Sequence, residues 1–281
     1  MQAFPEFAHM PTSFWALVKF VSETLGYTLR KQNLVRAYSY EEIYDLLEDH
    51  GIPADEDTVN AVHDYCCMRA EILNEYVRDM LMDAEIARHY FEELYDLHRD
   101  QGYLCKCPMN KQSGTMKKVN YFTAMVNIIA ERTIRESASY VDTGELAFDD
   151  DPRGLVYVFD DDNYIIGASS RRFDGAYPNI INPKMVWEIK EYYYATTFGS
   201  RVADGVYETQ LDGYEFRDIA RRSRKPIMHV FFIDAYKTWW EDGKSYLCRI
   251  VDILNSGLVD EVIVGREVFD RWPEVLNSVI E

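Results

Sequence analysis

The spacing of apolar positions changes its period once along the chain, close to residue 104. From Pro11 to about Gly102 the period is helical. In SYEEIYDLLEDHG, Ile43, Leu46 and Leu47 recur at helical spacing and the run stops at Gly51. The stretch from DEDTVNAV to LYDLHRDQG predicts one long or two successive amphipathic helices, acidic at the start and closed by Gly102. Its Met and aromatic stripe fits a core or a dimer face. A lysine-containing junction, YLCKCPMNKQSGTMKK, follows, and beyond it helical and alternating patterns mix. VNYFTAMVNIIAERTIRESASY reads as a helix, and LVYVFDDDNYIIGASSRRFDG as two short strands around an Asp-Asp-Asn turn. MVWEIKEYYYA reads as a strand, RVADGVYETQLDGYEFRDIARRS as a helix and PIMHVFFIDAY as a strand. SYLCRIVDILNSG closes as a helix and VDEVIVG as a last short strand. The order α-β-β-β-α-β-α-β describes a sheet with helices on its faces. The expected division is a helical part (1–104), a basic junction (105–118) and an α/β part (119–281).

Alternation within MVWEIKEYYY turns Met185, Trp187, Ile189 and Tyr193 to one face and Val186, Glu188, Lys190 and Tyr192 to the other. The Met185 face is apolar enough to pack on helices, which makes the strand central, so Glu188 and Lys190 are expected to be partly buried. Buried charges need partners or a metal. Asp174 is expected to end the preceding strand, with Gly175 allowing the chain to turn. A hairpin-like connection then brings its carboxylate beside Glu188. Two adjacent carboxylates repel, and protonation or a bound cation relieves them. Oxygen ligands in an open site favour Mg²⁺ or Mn²⁺. Such an ion lowers the pKa of an attacking water, and Lys190 beside it would stabilise developing negative charge or help deprotonate that water.

Asp174, followed after thirteen residues by Glu188-Ile189-Lys190, resembles the signature of the PD-(D/E)xK nuclease superfamily, to which many restriction endonucleases belong. The resemblance covers residues 117 to 265. It implies an α/β fold with a restriction endonuclease-like αβββαβ core and a mixed central sheet, here preceded by an all-helical N-terminal domain. It also implies metal binding by Asp174 and Glu188, chemistry assisted by Lys190, and Mg²⁺ (or Mn²⁺) as cofactor. Members often add a glutamate from the helix before the sheet. Glu131 is the candidate third ligand, with Glu136 in reserve, and Gln210 is a weaker auxiliary group. The residue before Asp174 is Phe173 rather than proline, which departs from the family pattern, and Pro178 comes after it.

Charge complicates this picture. The 281 residues carry a formal charge of −18, and such a field repels polyanions at long range. Cations that could offset it are clustered. Arg217, Arg221, Arg222, Arg224 and Lys225 form one group, and Lys106, Lys111, Lys117 and Lys118 another, with Arg171, Arg172 and Arg201 elsewhere. Each is a candidate phosphate contact, and each reads equally well as a solvated face. The acidic runs 149–151 and 160–162 lack EF-hand spacing and are expected to be solvated loops. The five cysteines, Cys66, Cys67, Cys105, Cys107 and Cys248, fit no common zinc pattern and are expected to be reduced thiols. No apolar run approaches the roughly 20 residues that span a bilayer, and the first residues make a poor secretory signal. The expectation is a cytoplasmic Mg²⁺-dependent endonuclease of restriction or antiviral-defence type. It would act on double-stranded DNA as a homodimer or within a defence complex. The alternatives are an RNA-directed or repair nuclease with the same core, and a non-catalytic interaction protein on a nuclease-like scaffold.

Overall fold

The computed structural model describes residues 1–109, 118–194 and 200–280. Helix α1 (Thr12–Leu25), the two-residue strands β1 (Thr28–Leu29) and β2 (Leu34–Val35), α2 (Tyr40–Asp49) and α3 (Glu56–Glu71) make up the first part of the chain. Ser39 and Glu42 form a reciprocal capping box on α2, and Asp55 caps α3 by accepting from the Thr58 N–H. Phe14, Trp15, Val18, Val21, Ile43, Leu47, Val62 and Tyr65 close a core between these helices. Helix α3 runs on through a π-helical stretch (Ile72–Val77) into the short α4 (Arg78–Met80). The helical run then breaks, and Asp83 caps α5 (Ala84–Asp100). Helix α5 does not stay with α1–α3. Met82, Ala87 and Phe91 join the core beneath the sheet, against α6 (Tyr121–Glu136).

The central sheet has four strands in the order β5-β6-β7-β8: β5 (Gly175–Tyr177), β6 (Met185–Glu191), β7 (Met228–Asp234) and β8 (Glu261–Val264). It is mixed: β5 runs antiparallel to β6, while β6, β7 and β8 are parallel. Helix α7 (Ser200–Ser223) connects β6 to β7, α8 (Lys244–Asn255) connects β7 to β8, and α9 (Arg271–Ile280) follows β8. On one face Met185, Trp187 and Ile189 pack with Val230, Phe232 and Ile263 onto α6 and α9. On the other, Tyr192, Phe231 and Ile233 join Val202 and Val206 of α7 and Leu247, Val251 and Leu254 of α8. Among the described residues no helix is long and apolar enough to cross a membrane.

Two features differ from the sequence reading. The two strands expected around the Asp-Asp-Asn turn exist as β3 (Tyr157–Phe159) and β4 (Ile165–Ala168), but they form a separate two-stranded sheet. The place beside β6 is taken instead by β5. Asp174 therefore stands at the entrance of a new strand rather than at the end of the previous one. Gly175 is not a turn residue: a Cβ there would lie 2.0 Å from the indole of Trp187, so the missing side chain lets the two strands close over that ring.

Replacing Gly175 by alanine should therefore cost about 1–3 kcal/mol through overpacking. Urea unfolding with linear extrapolation measures it. A variant as stable as the parent would show that the indole can move aside.

Candidate active site

The pairing of β5 with β6 sets the geometry of the site. Gly175 opposes Trp187, and the Asp174 N–H donates to the Trp187 carbonyl at 3.0 Å, which puts Asp174 opposite Glu188. Directly opposed residues of an antiparallel pair share a face. Asp174 Oδ2 also accepts the Ile189 N–H at 2.7 Å, which fixes the carboxylate against the strand. Asp174, Glu188 and Lys190 line one cleft of about 550 Å³, together with Lys106, Asp150, Asp151, Arg153, Glu191 and Tyr192.

Glu188 is the centre of a charge network. It is only 4% exposed. Lys190 Nζ lies 2.5 Å from its Oε1, and Arg171 Nη1 lies 3.0 Å from its Oε2. Arg171 is gripped from behind by Asp212, which accepts from both Nε and Nη2, the latter at 2.6 Å. Such a two-point fork is the strong geometry for a guanidinium and a carboxylate. The guanidinium also sits 5.1 Å over the Phe173 ring. A further carboxylate, Glu208, reaches Lys190 Nζ at 3.4 Å.

These surroundings shift the titrating groups. Burial, with the Glu188 charge adding, pushes the Asp174 carboxyl up to about 7, against the pull of the Ile189 N–H, Lys190 and Arg171. Asp174 is nonetheless exposed to the cleft, so water reaching its carboxyl moderates that rise and leaves its direction upward. Burial also raises Asp212, to about 6, although its bonds with Arg171 oppose it. For Lys190, burial alone would favour the neutral amine, but the Glu188 carboxylate beside it outweighs this and holds the ammonium charged. A charged Lys190 donates and stabilises anions. It does not take a proton from water in this state.

Mg²⁺ commonly takes one or two carboxylates from a protein and completes its shell with water and substrate oxygens. The hard oxygens of Asp174 and Glu188 suit that ion. Among the described residues no group of three or more His, Cys, Asp and Glu side chains could hold a metal, so a ligand set drawn from the expected residues would here be two carboxylates. Glu131, the expected third ligand, does not line this cleft. It is buried on α6, where it accepts the N–H groups of Leu104 and Cys105 and pairs with Arg135 Nη2 at 2.6 Å. It thereby ties down the chain after α5. Glu136 is exposed and faces Arg132 and Asn277. Gln210 is half-buried on α7. The α6 side of the cleft is supplied instead by Thr123, whose N–H and hydroxyl both donate to Glu191.

The basic residues lie mostly away from this cleft. Arg171 is committed to carboxylates. Arg217 donates to the carbonyls of Ser256 and Gly257, Arg222 pairs with Asp218, and Lys225 pairs with Asp161. Arg172, Arg201 and Arg221 are exposed, as is Arg224 beyond the end of α7. Gly205 packs on Lys190, and Arg221 follows sixteen residues later, about 24 Å along the helix axis. The far end of the 217–225 cluster therefore stands well away from this cleft. Lys118 sits 4.2 Å over the Tyr194 ring. Lys111 and Lys117 lie outside the described residues. The acidic run 149–151 is not a free loop either. Asp149 bridges Ala176 of β5 through two backbone hydrogen bonds, which carries Asp150 and Asp151 into the cleft wall beside Lys106. Asp212, Glu208 and Gly205 were not singled out in sequence, although their 4 and 3 spacing on α7 places them on one helix face. The five cysteines are free thiols.

Fold and cleft together define a mixed α/β protein with a buried charge cluster on an antiparallel strand pair of its central sheet. Residues 82–279 match the family model described as Domain of unknown function (DUF7687), and the chain belongs to that family. Residues 1–76 match a second model, Domain of unknown function (DUF7690). The two matches meet where the helical run breaks before α5. No curated protein and no solved structure matches the chain.

The raised Asp174 pKa has a sign that can be tested. A carboxyl whose folded pKa exceeds its unfolded value of 3.8 loses folded-state protons late, so its ionisation weakens the fold as pH rises from about 4 to about 7. Asp174→Asn removes that penalty and keeps an acceptor for the Ile189 N–H. Its melting temperature should exceed the parent's at pH 8, and the gap should shrink towards pH 5. A gap independent of pH would mean that Asp174 titrates normally.

Proposed function

We propose that this protein is a divalent-cation-dependent phosphodiesterase acting on nucleic acid, in the manner of the PD-(D/E)xK nucleases, with double-stranded DNA as substrate. The observation that carries the reading is the convergence of Asp174, Glu188 and Lys190 on one cleft from opposed strands. Support comes also from the strand–strand–helix–strand sequence around them and from the mixed sheet. The restriction endonuclease-like αβββαβ core is part of the same reading, with the short β5 as the strand that carries Asp174.

Asp174 and Glu188 would hold Mg²⁺ or Mn²⁺. When bound, the ion supplies Lewis acidity and an activated water to the scissile phosphate. The chain's own residues do the rest. The Ile189 N–H aims Asp174, Arg171 orients Glu188, and the Lys190 ammonium stabilises charge building on the phosphate oxygens. The lining of the cleft gives an independent reason for a cation. It carries five carboxylates, Asp150, Asp151, Asp174, Glu188 and Glu191, against three cations, Lys106, Arg153 and Lys190. A phosphodiester enters such a site only if further positive charge arrives with it. Restriction or antiviral defence, in the cytoplasm and with a dimer or a larger complex cutting both strands, is the setting this chemistry suits.

A second reading has its own observation. Arg171 and Lys190 already satisfy both oxygens of Glu188, as expected of a nuclease-like scaffold that binds a partner and has lost its metal. One experiment separates the two. Asp174→Asn, Glu188→Gln and Lys190→Met should each lower Mg²⁺-dependent plasmid cleavage by at least about a hundredfold, as loss of a positioned acid, base or charge does. Cleavage that survives all three substitutions removes the nuclease assignment. A parent protein that neither cuts nor binds Mn²⁺ in calorimetry favours the scaffold.

A further inference from the structure

Of the two cations on Glu188, only one is free to leave. Arg171 is pinned through Nε and Nη2 to Asp212, which is fully buried, so it cannot release Glu188 Oε2 without breaking the fork. Lys190 has no such anchor. It is an ammonium on a flexible stem, 2.5 Å from Glu188 Oε1 and 3.4 Å from Glu208 Oε2. Its side chain is 14% exposed, so an ammonium separated from Glu188 cannot rely on water and needs another carboxylate. Glu208 is that carboxylate, and at 45% exposure it can shift towards the amine. The wall behind the lysine stem is also cut away. A Cβ at Gly205 would lie 3.1 Å from Lys190 Cε, and the glycine sits three residues before Glu208 on the same helix face.

We propose that Glu208 is a positioning residue that receives the Lys190 ammonium when Glu188 turns its Oε1 to a divalent cation, while Asp212 and Arg171 keep Oε2 in place. This rests on the cation-binding reading of the site. It adds that the site switches by shifting one shared ammonium off Glu188 and fully onto Glu208, which it already touches at 3.4 Å, with no movement of the sheet. The Lys190 charge stays in the cleft in both states, and the bound ion does not face an uncompensated amine.

The experiment is a double-mutant cycle read as Mn²⁺ affinity by calorimetry on the full chain. Glu208→Gln should weaken Mn²⁺ binding about tenfold in the parent background. In a Lys190→Met background, where no ammonium has to be received, the same change should cost less than about twofold. Glu208→Asp, which keeps a shorter carboxylate, should fall between parent and Glu208→Gln. Circular dichroism melts of each variant confirm folding, and the exposed Glu208 makes its own variants safe ones. An equal cost of Glu208→Gln in both backgrounds would show that Glu208 acts as a plain charge or ligand and would overturn the proposal, leaving the cation site standing. No cost in either background overturns it as well. Mn²⁺ binding that is absent from the parent, or unchanged by Glu188→Gln, removes the cation site itself and this proposal with it.

Discussion

The arrangement of charges in the cleft depends on how closely β5 lies against β6. Only three residues of β5 pair with the central sheet, and their register places Asp174 opposite Glu188. That register is held by a packing contact rather than by polar groups. The Trp187 indole occupies the space a Cβ of Gly175 would need, and it packs in turn edge-on to Trp272 of α9. A slip of one residue would turn Asp174 to the opposite face of the sheet, away from Glu188. The polar bonds, from Asp174 N–H to the Trp187 carbonyl and from Ile189 N–H to Asp174 Oδ2, then lock an alignment that the aromatic core has already selected.

Given that alignment, the electrostatics follow from where solvent is excluded. A carboxylate as buried as Glu188 is tolerated only with compensating charge, and two cations of different character provide it. The guanidinium of Arg171 is planar and clamped, so it serves as a fixed element of the wall. The ammonium of Lys190 is compact and pivots on four methylenes. Two carboxylates opposed on a strand pair are relieved either by protonating one or by a cation beside it. Here the raised pKa of Asp174 provides part of that relief, and the Glu188–Lys190 contact provides the rest.

The legible part of the site was the part written in strand alternation. Glu188 and Lys190 share a face because they are two apart, and the apolar residues between and around them mark an internal strand. What lay outside that signal depends on long-range placement. Strand β5 is only Gly-Ala-Tyr, too short to show a period, and it read as a turn because of its glycine. The role of Arg171 was hidden because its partner Asp212 lies forty-one residues away on α7. Glu131 looked suitable because it borders the apolar stripe of α6, yet a border position is equally suited to capping loose backbone N–H groups. It took the groups at 104 and 105. The acidic run at 149–151 read as solvated because pairing of a single residue with a sheet edge leaves no sequence pattern.

The proposed ammonium shift needs no hinge, and the packing around the cleft leaves none obvious. The helical part and the sheet part are joined by a buried ion pair, Arg69 with Asp252 of α8 at 3.0 Å, and Tyr65 and Ser22 hydrogen-bond into the same cluster. Fully desolvated pairs of this kind resist sliding, because any displacement strands a charge in apolar surroundings. Helix α8 lies against the same sheet face as α7, which carries Glu208, Asp212 and Gly205. The backbone around the cleft is therefore held from both sides, by the indole stack beneath β6 and by the locked α8 beside α7. Within this packed frame, rotation about the side-chain bonds of Lys190 moves its charge without moving the backbone. Its two carboxylate partners stand within reach of that rotation.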